Sequence, residues 1–185
     1  IQSVGFSLYS QMLQQAVEAL RRGDLPDVDA PLSPVTDVNL HCPALIPEDY
    51  LPDTNARLIL YKRIAACPDD DALRELQVEM IDRFGLLPPQ VKQLFVLASL
   101  RLRAQQIGVK AVELGEQGGH VDFKENARID PLKLVTLVQE QPLHYRLAGP
   151  TRLRIELPLA DERERETLAR DLLDRLAGDV RDEAA

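Results

Sequence analysis

Residues 109–123 read VKAVELGEQGGHVDF, and this stretch decides the fold class because it interrupts a run of helical patterns. Its two ends, 109–114 and 121–123, are short and apolar, and the glycine-containing turn 115–119 separates them. Two such runs joined by a turn of moderate length are typical of a β-hairpin. The sequence therefore predicts a sheet with helices on either side of it in the chain.

Three helices are predicted upstream of the hairpin. Asp53 or Thr54 caps the first, and the second begins with the acidic turn 69–71 and ends at Gly85. The third, residues 88–108, opens with two prolines, which suit a first helical turn, and closes at a glycine. Together they predict an all-helical half.

A second strand-rich region is predicted downstream of the hairpin. A short helix opens at Asp130 and must end near Pro142, and the runs 145–147 and 153–157 form a second hairpin. The final helix begins at a capping box formed by Asp161 and Glu164. The predicted fold class is α+β: a helical half followed by a small, mainly antiparallel sheet with flanking helices.

The N-terminal part of the chain divides into smaller segments. Residues 1–22 carry an amphipathic helix, and residues 23–44 form a proline-rich connector with a short strand near 35–40. We expect one regulatory domain over 45–180 and a frayed tail at 181–185. Because the chain begins within structured sequence and without Met, we expect it to be a fragment of a larger protein.

The composition narrows the possible partners. The 185 residues carry a formal net charge of -8, and only 4% are aromatic, with no Trp. The electrostatic field of this negative net charge repels phosphate backbones and anionic lipids, so a basic protein is the better partner. Two isolated cysteines, Cys42 and Cys67, suggest a reducing compartment, and no run approaches the roughly 20 apolar residues of a membrane span. We expect a cytoplasmic protein that does not enter a membrane.

Catalytic and metal-binding signatures are missing from the sequence. It has no phosphate-binding P-loop, dinucleotide-binding glycine motif, zinc-protease motif or nucleophile elbow. His41 and Cys42 beside Cys67 are the one combination that suggests zinc, but the close-spaced ligand pairs of structural zinc sites are absent. We therefore predict no enzyme activity, no metal and no cofactor in these residues.

One charge pattern points to a partner. A step of 100° per residue along the helix at residues 71–84 puts its apolar residues on one face and four acids on the other. The acids of this stripe are Asp71, Glu75, Glu79 and Asp82. No basic residue lies at its centre, and Glu79 with Arg83 is an i,i+4 pair at its edge. Either the stripe is an ordinary solvated face, or a basic partner relieves its repulsion.

Four segments of the chain resemble a known family. They read VGFSLYSQMLQQAVEAL at 4–20, LPDTNARLILYKRI at 51–64, ELQVEMIDRFGLLP at 75–88 and YRLAGPTRLRI at 145–155. In order and spacing they resemble the C-terminal end of the bacterial transcription-repair coupling factor, Mfd. The resemblance extends from about Val4 to the last helix.

This resemblance implies a regulatory domain behind a DNA translocase. The parent protein would bind RNA polymerase and double-stranded DNA through other modules, and its motor would use ATP and Mg²⁺. The domain would dock in cis on the N-terminal UvrB-like module and mask the surface that binds UvrA. Glu79 and Asp82 fall where the family has contact acids, so the resemblance implies that they meet arginines of that module. Residues 1–22 would end the translocase module.

The sequence also allows two other functions. A nucleic-acid accessory domain of a DNA translocase would use Arg152 and Arg154 on one face of the second hairpin, against the net charge of the chain. Arg101 and Arg103 form a second local group of basic residues. A small hydrolase would need catalytic carboxylates whose environments separate their pKa values, and the sequence shows no such contrast.

Overall fold

The computed structural model describes residues 36–177. The predicted helix within 1–22, most of the connector and the tail at 181–185 lie outside the described residues. Within the described part, the element order is one strand, three helices, a hairpin, a helix, a second hairpin and a last helix.

Three helices form the first half, and local sequence signals explain where each begins. Helix α1 (Thr54–Ala66) starts after Asp53, whose carboxylate accepts backbone N–H bonds from the first turn. Helix α2 (Asp70–Phe84) is capped in the same way by Asp69 and ends at Gly85. Helix α3 (Pro89–Gln106) begins with a proline in its first turn, where a missing N–H costs no hydrogen bond.

The described residues contain a sheet of five strands, one before the three helices and four after them. They are β1 (Asp37–Asn39), β2 (Val109–Gly115), β3 (Gly118–Phe123), β4 (Tyr145–Leu147) and β5 (Arg152–Ile155). Their order in the sheet is β1-β2-β3-β5-β4, with β1 parallel to β2 and every other pair antiparallel. The short strand predicted near 35–40 is present as β1, and it joins the edge of the sheet through parallel pairing with β2.

Two further helices complete the described part. Helix α4 (Pro131–Glu140) packs near β4, and helix α5 (Glu162–Leu176) contacts β2, α3 and α4. The predicted capping box of α5 is present, because the Asp161 and Glu164 side chains each meet the other residue's backbone. Helix α3 also packs on β1 and β2, so it joins the two halves.

The hydrophobic interior consists of two clusters that share α3. One lies between the sheet and helices α3, α4 and α5, and the other lies among α1, α2 and α3. Leu100 and Ala104 of α3 belong to the first cluster, whereas Val91, Leu94 and Phe95 belong to the second. The one long helix therefore supplies apolar side chains to both interiors.

The predicted α+β fold is confirmed, with small differences at element ends. The last strand ends at Ile155 instead of Leu157, and the first hairpin turns more tightly than expected, at residues 116–117. Gly118 fits this turn because its φ is 102° and a Cβ there would lie 2.1 Å from the carbonyl oxygen of Ile155. None of the helices within residues 36–177 is long and apolar enough to cross a membrane.

Candidate protein-interaction face

Helix α2 presents the predicted acids on its outer surface. Its inner surface is fixed by Leu73, Leu76 and Met80, which are buried in the helical cluster. With that side inward, Asp71, Glu75 and Asp82 are exposed, while Glu79 is only partly exposed. The structure therefore brings all four predicted acids onto one helix, but not into one environment.

Glu79 already has two basic partners within the domain. Arg63 of α1 donates from its Nη1 and Nη2 atoms to the two carboxylate oxygens, at 2.7 and 2.5 Å, and Arg83 Nη1 donates at 3.1 Å. Hydrogen bonds from Arg63 and then Arg83 lower the pKa of Glu79 to about 2. A basic group from a neighbouring helix thus sits against the stripe, which spacing along α2 alone did not indicate.

The other three acids differ in how far they are paired. Asp71 accepts a hydrogen bond at 2.7 Å from Arg74, one turn along the same helix, and both side chains are largely exposed. Glu75 and Asp82 make no hydrogen bond or ion pair within residues 36–177. Among the four acids of the stripe, those without a basic partner in the described residues are therefore Glu75 and Asp82.

Apolar side chains are exposed beside these acids. Val78 is 59% exposed and Ile81 is 39% exposed, and both lie on the outer side of α2. Leu86, just after the helix, is 86% exposed. This outer surface of α2, comprising Glu75, Val78, Ile81 and Asp82, is called the docking face below.

The arginines considered for nucleic-acid binding are engaged inside the domain. Arg152 makes two hydrogen bonds to Asp122, at 2.6 and 2.8 Å, and Arg154 pairs with Glu156 at 3.2 Å. Arg101 donates to the backbone carbonyl of Ala65, and Arg103 pairs with Asp174. Three of these four guanidinium groups already pair with carboxylates, so they offer little unmatched positive charge to a phosphate backbone.

Two histidines far apart in sequence meet at one carboxylate. His41 Nε2 lies 3.3 Å from one oxygen of Glu113, and His120 Nε2 lies 3.8 Å from the other. Both line an open cavity of about 500 Å³ together with the hairpin turn 115–119 and Arg165, whose side chain is buried. Sequence reasoning missed this cluster because no spacing links a loop residue with two adjacent strands.

The two cysteines do not lie in a metal-binding arrangement. Cys42 and Cys67 are both free thiols, and burial raises the pKa of each. Among residues 36–177, no group of three or more His, Cys, Asp and Glu side chains is placed to hold a metal ion.

The fold and a family model together define the class of this protein. The structure matches a crystal structure of the C-terminal domain of a transcription-repair coupling factor with a TM-score of 0.62, covering 76% of this chain and 93% of that one. At 21% identity, that likeness shows a shared fold. The family model of the TRCF domain matches residues 40–134, and the chain belongs to this family.

Relatives in two bacteria agree with the family. The chain is 44% identical over 165 residues to the transcription-repair-coupling factor of Escherichia coli, and 42% identical over 177 residues to that of Haemophilus influenzae. These matches cover 89% and 96% of this chain, but only 14% and 15% of the relatives. The chain thus corresponds to a small part of each relative's length.

Proposed function

We propose that this domain is a non-catalytic, autoinhibitory interaction domain that docks through the outer surface of α2 on a basic surface of the same protein. The observation that carries the proposal is that Glu75 and Asp82 are exposed on α2 and have no ion-pair partner in the part of the chain that the structure describes. Unmatched acids on one helix face favour a partner of opposite charge.

The family resemblance suggests where on the parent protein this basic surface lies. The docking site would be the N-terminal UvrB-like module, and the docked domain would cover the surface that binds UvrA. RNA polymerase and double-stranded DNA would engage other modules of the parent protein, in the cytoplasm. ATP and Mg²⁺ would serve the motor of the parent and not this domain.

The proposed mechanism is a two-state switch between a docked and a released domain. Each exposed ion pair contributes only about 0–1 kcal/mol, so the contact would be weak between separate molecules. In cis, a tether supplies an effective concentration in the millimolar range, so a weak contact can still mask a site. Release of the domain and binding of UvrA are linked equilibria in this mechanism, so each favours the other by the same factor.

Calorimetric titration of this chain into the separately produced N-terminal module tests the proposal. We expect binding at low salt that weakens at about 0.3 M salt, where exposed pairs are screened. The double variant Glu75→Lys, Asp82→Lys should abolish binding, because it reverses the two exposed acids of α2 that have no basic partner among residues 36–177.

A matched control carries the same change in net charge on the opposite half of the domain. Glu125→Lys with Asp171→Lys alters two exposed acids away from α2 and should preserve binding. Equal binding by wild type and the α2 variant would contradict the proposal. If no variant binds between separate molecules, the α2 charge reversal is introduced into the intact protein, where it must raise the affinity for UvrA.

A further inference from the structure

We infer that the docking face is an amphipathic surface with Val78 and Ile81 as its apolar centre, and that its partner presents an apolar patch bordered by arginine or lysine side chains. This inference rests on the proposed function, because the partner is the surface on which the domain docks in cis. The inference adds an apolar contact to the charge contacts of the proposed function.

Helix geometry places Val78 at the middle of the docking face. Residues three and four positions apart are neighbours on a helix surface. By this rule Val78 adjoins Glu75 and Arg74 on one side, and Ile81 and Asp82 on the other. The exposed valine is therefore surrounded by charged side chains and one further apolar side chain, which is the arrangement of an interface centre and its rim.

The interior of the domain does not need these two side chains. Leu73, Leu76 and Met80 fill the inner side of α2 and are almost completely buried. Val78 and Ile81 remain 59% and 39% exposed, and β-branched residues are also less favourable in a helix than Ala or Leu. Neither packing nor helix propensity therefore accounts for them at these positions.

The charges around the pair determine the kind of partner. Glu75 and Asp82 have no ion pair among residues 36–177, so a basic rim on the partner would find unoccupied carboxylates. A second copy of this chain would bring the same acids together and carries a formal net charge of -8, so self-association through this face is disfavoured. Glu79 is held by Arg63 and Arg83 and lies at the edge of the contact.

Apolar and charged contributions respond differently to salt, which separates them in an experiment. Screening weakens exposed ion pairs, whereas burial of apolar surface does not depend on opposite charges. Variants are made in the full-length parent protein, and UvrA affinity is measured at low salt and at about 0.3 M salt. Val78→Ser with Ile81→Ser should raise UvrA affinity by roughly tenfold at both salt concentrations.

Two comparison variants make the test specific. Glu75→Gln with Asp82→Asn removes the charges with little change of shape and should raise UvrA affinity at low salt, with a smaller effect at high salt. Leu132→Ser with Leu143→Ser changes two leucines that are 77% and 84% exposed on the other half of the domain, and should leave UvrA affinity unchanged. Thermal unfolding of the isolated chain verifies that each variant folds.

The outcomes distinguish the inference from the proposed function. If the charge variant raises UvrA affinity while Val78→Ser with Ile81→Ser behaves like wild type, the apolar centre is wrong and the proposed docking stands. If neither variant changes UvrA affinity, the proposed function fails together with the inference. An equal gain from the Leu132 and Leu143 variant would show that exposed leucines act non-specifically, which also overturns the inference.

Discussion

At the scale of single residues, Glu79 has a different role from the other acids of α2. It connects two helices through Arg63, which lies 16 residues earlier in the chain, and it also binds Arg83 one turn later. The i,i+4 partner could be predicted from spacing, but the contact with Arg63 depends on how α1 crosses α2. Glu79 thus makes an internal contact between two helices, whereas Glu75 and Asp82 carry exposed charge on α2.

Removing Arg63 should raise the pKa of Glu79. The variant Arg63→Gln leaves only Arg83 beside the carboxylate, so its pKa should move from about 2 toward the ordinary value of a glutamate. NMR titration of the side-chain carboxyl carbons measures this shift. Arg74→Gln, which affects the pair with Asp71, should leave the pKa of Glu79 unchanged.

The lowered pKa of Glu79 makes the stability of the domain depend on pH. Because folding lowers the pKa of Glu79, its contribution is present above the pKa of the unfolded chain and is lost as the pH falls toward about 2. The Arg63→Gln variant should therefore lose less stability than wild type between pH 5 and pH 2. Parallel acid-unfolding curves for the two proteins would contradict this assignment.

At the scale of elements, helix starts were the most predictable features. Caps and prolines act within one turn, so Asp53, Asp161 and Pro89 indicate helix starts from local sequence alone. The order of strands was not predictable in the same way. Strand β5 lies between β3 and β4, and β1 pairs with a strand more than 70 residues away, so these neighbours depend on tertiary packing.

The capping box of α5 should make a measurable contribution to stability. Asp161→Ala removes the acceptor for the N–H of Arg163 and should lower the free energy of unfolding by about 1 kcal/mol. Asp161→Asn keeps a good capping oxygen and should lie close to wild type. Urea unfolding followed by circular dichroism compares them, and equal losses in both variants would show that the charge, not the cap, is responsible.

At the scale of the whole molecule, α3 makes the helical half and the sheet half parts of one structure. It contributes side chains to both hydrophobic clusters and contacts α1, α2, β1 and β2. The composition could predict a packed interior, but not that one helix would serve two clusters. Helix α2 and the sheet therefore pack against the same helix.

Because of this shared helix, a cavity in one cluster should weaken both halves. Leu94 is buried in the helical cluster, and Leu94→Ala should lower the free energy of unfolding by about 2–5 kcal/mol. Amide hydrogen exchange should show the loss at Val112 and Val121 in the sheet as well as in α2. Protection that falls only in the helices would show independent halves, and Leu132→Ala at an exposed site is the control.

The features of the α2 surface that could be predicted from the sequence are those that depend on local contacts. Periodicity along α2 identified all four acids and the buried side of the helix, because both follow from a fixed rotation per residue. It could not separate Glu79 from Glu75 and Asp82, since that difference arises from a guanidinium on another helix. The His41, Glu113 and His120 cluster was out of reach for the same reason.

The parallel pairing of β1 with β2 has a consequence for the folding and solubility of this domain. Three helices separate residues 37–39 from their partners at 111–113 in the chain, so this strand pairing is a contact of large sequence separation, which is slow to form. Until it forms, the seven-residue strand β2 has one row of backbone N–H and C=O groups exposed to strands from other molecules. A chain shortened to begin at residue 45 would lack β1, so the edge of β2 would stay unpaired in the folded domain. Pairing of this edge with strands of other molecules would then compete with folding.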